Sequence, residues 1–567
     1  MRWGVLYILF SSLFFSTNIS AQSVPFSQGK WVKIAVSKQG FYQVTGSQLK
    51  TWGLTLPFAS SQLQLFNLNT ANLVEKVTAN MGFGLNENAI EMQDGGDGQF
   101  DNQDYFLFYS QGNIQWKWNG VQQLFEHSKN AHGDSVYYFI SLGKEGKRIQ
   151  KAKSDKIANA TSDIFDERWV MEKDTLNILN SGQIWWGPAM GLGVGKQAKI
   201  TTPLNMEGLV SQSDLIFKLN YAAASTANAA NFEITLNDQK LRTTVVAPIS
   251  GYIYDDAANL VLDTFRIPFS SNLLNTNLIS ANLGVGYLSA NTSSTGWINY
   301  ITLQAKRKLG FYGGAKSLGF RNTSLVGTGK IIQYQIKDAD ASTKIWEVTR
   351  PENPVEMPSN FQNGVATFNQ TADSLREFFS VTKLGYETPS LVEVLNIDYP
   401  SLLNTPAADY IIITAANYLK AADSLAKFHA VHHGLATFVT TTGRVFNEFS
   451  GGQPSPIGIR NYIKYIYDNA KKNNTITPKY LLLLGIGNFD YKKIDIQTQV
   501  PSYESLISNS VLSSYATDDF FAILKEGDDI IAPQGIQSLA LSVGRLPVKN
   551  AVEADATIKK LIQYQTG

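Results

Sequence analysis

Apolar residues follow two different patterns along this chain. Between Ala408 and Gly485 they form unbroken runs separated by longer amphipathic stretches. The run Asp409-Tyr410-Ile411-Ile412-Ile413-Thr414 predicts a strand, and Ala416 to His433 a helix that Gly434 ends. Leu435 to Thr440 predicts a second strand, Ile457 to Lys472 a second helix, and Tyr480 to Leu484 a third strand ending on Gly485. A later strand, Leu539 to Val543, and a helix, Ala551 to Gln563, continue the series. Strands without polar alternation, spaced by helices, predict a parallel sheet covered on both faces. In such sheets, sites form outside the carboxyl ends of the strands. Those ends are Thr414, Thr440 to Arg444, Gly485 to Asp490 and Gly544-Arg545.

Upstream the pattern changes to alternation. Trp31-Val32-Lys33-Ile34-Ala35-Val36 alternates as a half-buried strand does, and Gly40 to Val44 continues after a turn. Residues 22–155 therefore predict a first β domain. Residues 160–310 carry short strands at Leu215 to Tyr221, Asn231 to Leu236, Leu260 to Ile267 and Ile298 to Leu303, separated by Asn, Ser, Gly and Asp turns, which predicts a β-sandwich. Residues 311–400 predict a β-rich connecting region, including Lys344 to Thr349, and residues 405–567 the α/β unit. The expected fold class is thus multidomain, with β-rich N-terminal domains followed by a parallel α/β half-domain. There is no internal repeat and no low-complexity tract.

Length and charge narrow the function classes. A chain of 567 residues exceeds one hydrophobic core, so several domains are expected. Arg2, the apolar run Trp3 to Phe15 and the small residues Ser20-Ala21 before Gln22 predict a signal peptide over residues 1–21, and hence export to the cell surface, outer membrane or medium. Without that segment the chain holds 47 basic and 47 acidic residues, because Arg2 leaves and no acid does. A balanced chain with no basic run gives no electrostatic basis for a nucleic-acid partner. There are no cysteines, which excludes disulfides, thiolate metal sites and a cysteine nucleophile within these residues.

Candidate chemistry is sparse. Asp94, Asp97, Asp101 and Asp104 fall within eleven residues rich in Gly, and a hard cation such as Ca2+ takes oxygen ligands on a sharply bending loop of this kind. The spacing departs from the EF-hand pattern, and an Asp-Gly turn chosen for its backbone explains the same residues. Gly191 to Lys196 fails the phosphate-loop spacing, because Met190 and Gln197 occupy required positions. His429 and His433 share a helix face but lack the zincin Glu, and three histidines in a last turn before Gly434 suit the orphan carbonyls there. Ser450 lacks a nucleophile elbow. The pair Asp518-Asp519, set between Thr517 and Phe520-Phe521, can bind a cation, orient a partner or bond loop amides.

The order and spacing of Glu448-Phe449-Ser450-Gly451-Gly452, Ile459-Arg460-Asn461, Tyr480 to Gly485, Thr517 to Phe521 and Gly544-Arg545-Leu546-Pro547 resemble the gingipain-like cysteine peptidases. Within that family they are most similar to the type IX secretion sortases of Bacteroidetes. The resemblance implies a caspase/gingipain-like α/β fold and, in the full-length protein, cleavage of C-terminal sorting domains from secreted cargo, with other outer-membrane secretion components as partners. It also implies that Asp518 and Asp519 match an acidic pair of the family. The family's catalytic His and Cys lie in the second half of its α/β region, so no catalytic residue is expected among these 567. On this reading some 200 further codons, with a His-Gly motif and a later Cys, follow Gly567. Sortases usually carry an acid after the third strand's Gly; here Ile486 stands there and Asp490 is the nearest acid. The contrasting expectation is a non-catalytic, surface-exposed, β-rich binding protein that keeps a peptidase-like half-domain.

Overall fold

The computed structural model describes residues 26–567 except 27, 69, 71, 79, 80, 82, 83, 154, 212, 269–279 and 532–536. The signal segment expected over residues 1–21 lies outside the described residues. Strand Gly29–Val36 sits between Val136–Leu142 and Ser390–Ile397, antiparallel to both. Its alternation is overridden: Trp31, Val32, Lys33 and Ile34 are all buried, because both faces of this sheet are covered.

Strand pairing crosses the boundaries expected at 155 and 311. Ser390–Ile397, assigned from sequence to the connecting region, is the edge of the N-terminal sheet. Gln150–Lys151 pairs in parallel with Val355–Glu356, and Ala160–Ser162 with Ile331–Lys337. Alternation marks a strand and its buried face but not its partner, so pairing over hundreds of residues leaves no local trace.

Residues 164–308 form two packed four-stranded sheets. Thr295–Lys308 lies between Ile164–Glu172 and Asp214–Ala224, and Ser280–Leu288 between Lys199–Asn205 and Ala230–Leu236. Leu215, Phe217, Leu219 and Tyr221 alternate inward, and Tyr221 stacks on Phe232 with ring centroids 4.5 Å apart. Each such ring removes enough apolar surface from water to stabilise the sandwich by about 1.5–3 kcal/mol. A smaller pair of sheets follows around Phe320, Tyr334, Phe368 and Phe378.

The C-terminal unit is a four-stranded, all-parallel sheet in the order Thr437–Thr441, Tyr410–Thr414, Tyr480–Leu484, Ser542–Leu546. Ile411 to Thr414 are all buried, as residues of a strand covered on both faces must be. Helix Leu419–His433 packs beside Ala551–Thr566, and Thr442–Phe449 beside Pro456–Lys472. Ser455 caps the last of these, its hydroxyl accepting from the Ile457 amide at 3.2 Å, with Pro456 at the first position, where no amide is needed. Two local expectations shift. The helix Thr442–Phe449 was not foreseen, and the fourth strand begins at Ser542 rather than Leu539, which is half exposed. Among the described residues no helix is long and apolar enough to cross a membrane.

Candidate functional site

Within the all-parallel sheet the first strand in sequence lies between the second and third, so strand order reverses at Tyr410–Thr414. The crevice outside such a reversal is where ligands bind in open α/β sheets. Here the crevice is floored by the chain itself. The amides of Ala416 and Asn417 donate to the carbonyls of Ile496 and Gln497 at 3.2 and 3.0 Å, and the Tyr418 hydroxyl donates to the Thr498 carbonyl at 3.2 Å. Asp495 shapes that segment, accepting from the Gln497 amide at 3.0 Å and the Thr498 hydroxyl at 2.7 Å.

Arg545 closes the neighbouring strand end. Its Nε and Nη2 grip Asp518 at 2.7 and 2.8 Å, a two-pronged fit that a planar guanidinium makes to a carboxylate. Nη1 donates to the carbonyls of Gly485 and Val500 at 2.9 and 2.7 Å, and Nη2 also reaches the Pro501 carbonyl at 3.2 Å. Gly485 holds a φ of +144°, and a Cβ there would press the Val500 side chain at 3.0 Å. The sequence stretches around 485, 518 and 545 thus meet in one bracket. The acidic pair divides: Asp518 is Arg545's counter-ion, whereas Asp519 is exposed and its amide donates to the Thr517 hydroxyl at 3.1 Å. Asp490 caps the turn Tyr491–Lys493, accepting from the Lys492 amide at 3.1 Å and pairing with Lys493 at 3.0 Å.

The loops beyond the strand ends are seated on the β domains. The Tyr491 ring stacks on His132 at 4.7 Å, and its hydroxyl accepts from the Glu504 amide at 2.6 Å while donating to the Ser502 carbonyl at 3.0 Å. Burial pushes the His132 imidazole down to about 4, so it is neutral in this joint at physiological pH. Lys492 bridges Asp134 and Asp174 at 2.6 and 2.9 Å. Glu504 accepts from the Gly182 amide at 3.0 Å, and the Trp186 indole donates to the Ser508 hydroxyl at 3.3 Å. Burial raises the Glu504 carboxyl above its ordinary range. In the same joint Arg460, 1% exposed, donates to the carbonyls of Val74 and Glu75 with its guanidinium 4.7 Å over the Phe520 ring. Lys33 donates to Asn447 Oδ1 and the Gly452 carbonyl at 3.0 and 3.2 Å. Lys33 was missed from sequence, although sharing a strand face with Trp31 signals a buried, and so a paired, lysine.

Other candidates fall elsewhere. Glu448 accepts from the Ser401 hydroxyl at 2.5 Å and the Leu402 amide at 2.9 Å, which ties the entrance of the α/β unit. Ser450, 1% exposed, donates to the carbonyls of Phe446 and Gln453, and no histidine is among its partners. His429 and His433 approach through their Nδ1 atoms at 3.1 Å before Gly434, whose φ of 64° ends the helix. The loop carboxylates accept main-chain amides: Asp94 from Gly96 at 3.1 Å, Asp97 from Gln99 at 2.9 Å, Asp101 from Gln103 at 2.8 Å and Asp104 from Asp101 at 2.6 Å. Among the described residues no three His, Asp or Glu side chains gather as a metal site. The arrangement ties strand ends and loops together, and the sequence holds no cysteine to supply a thiol nucleophile.

Residues 404–567 match the family model of Peptidase family C25, the gingipain family. The described fold is similar to the crystal structure of dimeric latent PorU from Porphyromonas gingivalis, with a TM-score of 0.75 at 21% identity. The likeness covers 94% of this chain and 49% of that one, so this chain spans about half the PorU chain's length. At that identity it establishes a shared fold. The CBM36-1 domain of a xylanase from the hindgut metagenome of Trinervitermes trinervoides matches 24% of the chain at 11% identity, and its TM-score of 0.15 carries no argument. No curated protein matches the chain.

Proposed function

We propose that this chain forms the N-terminal β domains and the first α/β half of an exported gingipain-like cysteine endopeptidase, acting as a type IX secretion sortase. Its substrates are secreted cargo proteins, from which it removes C-terminal sorting domains at the cell surface, alongside other outer-membrane secretion components. The observation that carries this reading is the family match over residues 404–567, together with a fold like that of PorU across most of the chain. A thiolate attacks the scissile carbonyl and a His moves the proton to the leaving amine; both groups belong, on this proposal, to residues beyond these 567. The residues present here position. The Arg545–Asp518 bracket fixes the strand ends, and the Tyr491, Lys492 and Glu504 contacts seat the loops on the β domains.

The test compares the 567-residue chain with a chain extended along the downstream reading frame, both assayed on cargo carrying a sorting domain. The expected result is cleavage by the extended chain only, abolished by iodoacetamide. Cleavage by the 567-residue chain that iodoacetamide does not block would place the nucleophile elsewhere, with Ser450 the first to examine.

A further inference from the structure

Three arginines from three separate strands and turns converge where the large sandwich meets the smaller one. Arg168 directs Nη1 and Nη2 at Glu377 Oε1 and Oε2, both at 3.1 Å. Arg321 donates through Nε to the same carboxylate at 2.8 Å and through Nη1 to the Asp166 carbonyl at 3.1 Å. Arg307 donates to Glu167 at 2.8 Å and to the Glu207 carbonyl at 2.6 Å, and lies 5.5 Å over the Tyr312 ring. These side chains are 8%, 2% and 10% exposed.

The three guanidiniums meet the carboxylates of Glu377 and Glu167, and Glu167 also lines an adjoining cavity. One donor is left over. Arg321 Nη2 has no hydrogen-bond partner among the described residues, and the arginine lines that cavity, of about 270 Å³. Trp116 and Tyr312 bound the same cavity, as do Gln39 and Asn205. Gly319 keeps that donor open. A Cβ there would stand 3.4 Å from Arg321 Nη2 and 3.3 Å from Gln39 Oε1. That N–H opens onto the cavity, and a guanidinium donor so placed binds an oxyanion well, because charge and hydrogen bond are then met together. The size of the cavity leaves room for more than the anionic group, and the two rings offer that remainder an apolar face.

We propose that this cavity is a binding site for a small oxyanion, carboxylate or phosphate, whose attached group lies against Trp116 and Tyr312. It is separate from the carboxyl end of the parallel sheet and stands independently of the peptidase reading. Burial and the neighbouring Arg321 push the Arg168 guanidinium down to about 10, so Arg168 stays charged through neutral pH.

The test is titration calorimetry of the 567-residue chain with inorganic phosphate and, separately, with benzoate, in a buffer free of other oxyanions. Saturable binding of one or both is expected, and the tighter probe identifies the anionic group. Gln39→Glu places a carboxylate beside the open donor, and the Tyr109 hydroxyl, which accepts from Gln39 Nε2 at 2.6 Å, can donate to that carboxylate instead; affinity falls at least tenfold. Gly319→Ala lowers it several-fold, with near-UV circular dichroism unchanged in both variants. No saturable binding of either probe at millimolar concentration, or binding that both variants leave unchanged, would overturn the proposal.

Discussion

Two joints between domains use the same pair of residue types and reach opposite results. Glu377 joins the two sandwiches, and Glu75 joins the N-terminal region to the α/β unit. Burial raises both carboxyls, but Arg168 and Arg321 aim two positive charges and three hydrogen bonds at Glu377 and hold it below its ordinary range. Arg460 also acts on Glu75 by its charge, yet spends its donors on the main-chain carbonyls of residues 74 and 75 and on Asn461 Oδ1. Glu75 receives only neutral donors, Gln183 at 2.8 Å and the Tyr503 hydroxyl at 2.9 Å, and burial leaves it raised. Proximity of a charge does not settle a carboxylate's proton affinity; the direction of the donors does.

The largest way to break that contrast is Glu377→Gln, which leaves Arg168 and Arg321 facing each other without a counter-ion. A loss of about 3 kcal/mol is expected in urea denaturation. Arg545→Lys comes next. Lysine keeps the charge but cannot fork onto Asp518 while serving three carbonyls, so about 2 kcal/mol is lost. Iodoacetamide-sensitive cleavage by the extended chain should slow in step, because the strand ends loosen.

The dependence on pH sharpens the same comparison with smaller effects. Glu377 is depressed on folding, so its contribution is present above the ordinary carboxyl value of 4.5 and is lost as the pH falls through the folded-state value. Glu75 is raised, so its contribution is fullest below 4.5 and fades as the pH rises through its higher folded-state value. Glu75→Gln should therefore leave stability within about 1 kcal/mol at neutral pH and flatten the slope just above pH 4.5, whereas Glu377→Gln flattens the slope below it. Denaturation midpoints from pH 3 to pH 7 distinguish the two.

What could be read from the sequence follows from the range of each interaction. Strand Tyr480–Leu484 and helix Pro456–Lys472 announce themselves, the first as an unbroken apolar run and the second as an amphipathic stretch, though its capping Ser455 and first residue Pro456 lie before the expected start at Ile457. The parallel order follows from helices between such runs. Helix Thr442–Phe449 was missed because it has eight residues, includes Gly443, and follows its strand without a loop. The fourth strand was placed early because Leu539, Ala540 and Leu541 extend the apolar run before the pairing begins at Ser542. At the site, the stretches holding Gly485, Asp518 and Arg545 were each picked out, but their meeting was not, since 60 residues separate Arg545 from the Gly485 carbonyl it holds. The partners of Lys33, Glu75 and Tyr491 lie in other domains and leave no periodic trace.

On the function proposed above, residues beyond Gly567 supply the thiol-dependent centre and those described here position it. The most direct measurement is intact-mass and peptide mapping of the extended chain after reaction with a chloromethyl ketone built on a cargo cleavage-site peptide. One adduct is expected, on a cysteine beyond residue 567, formed at a rate that Arg545→Lys lowers. An adduct within residues 22–567, or cargo cleavage that persists after every thiol in the extended chain is blocked, would contradict that function.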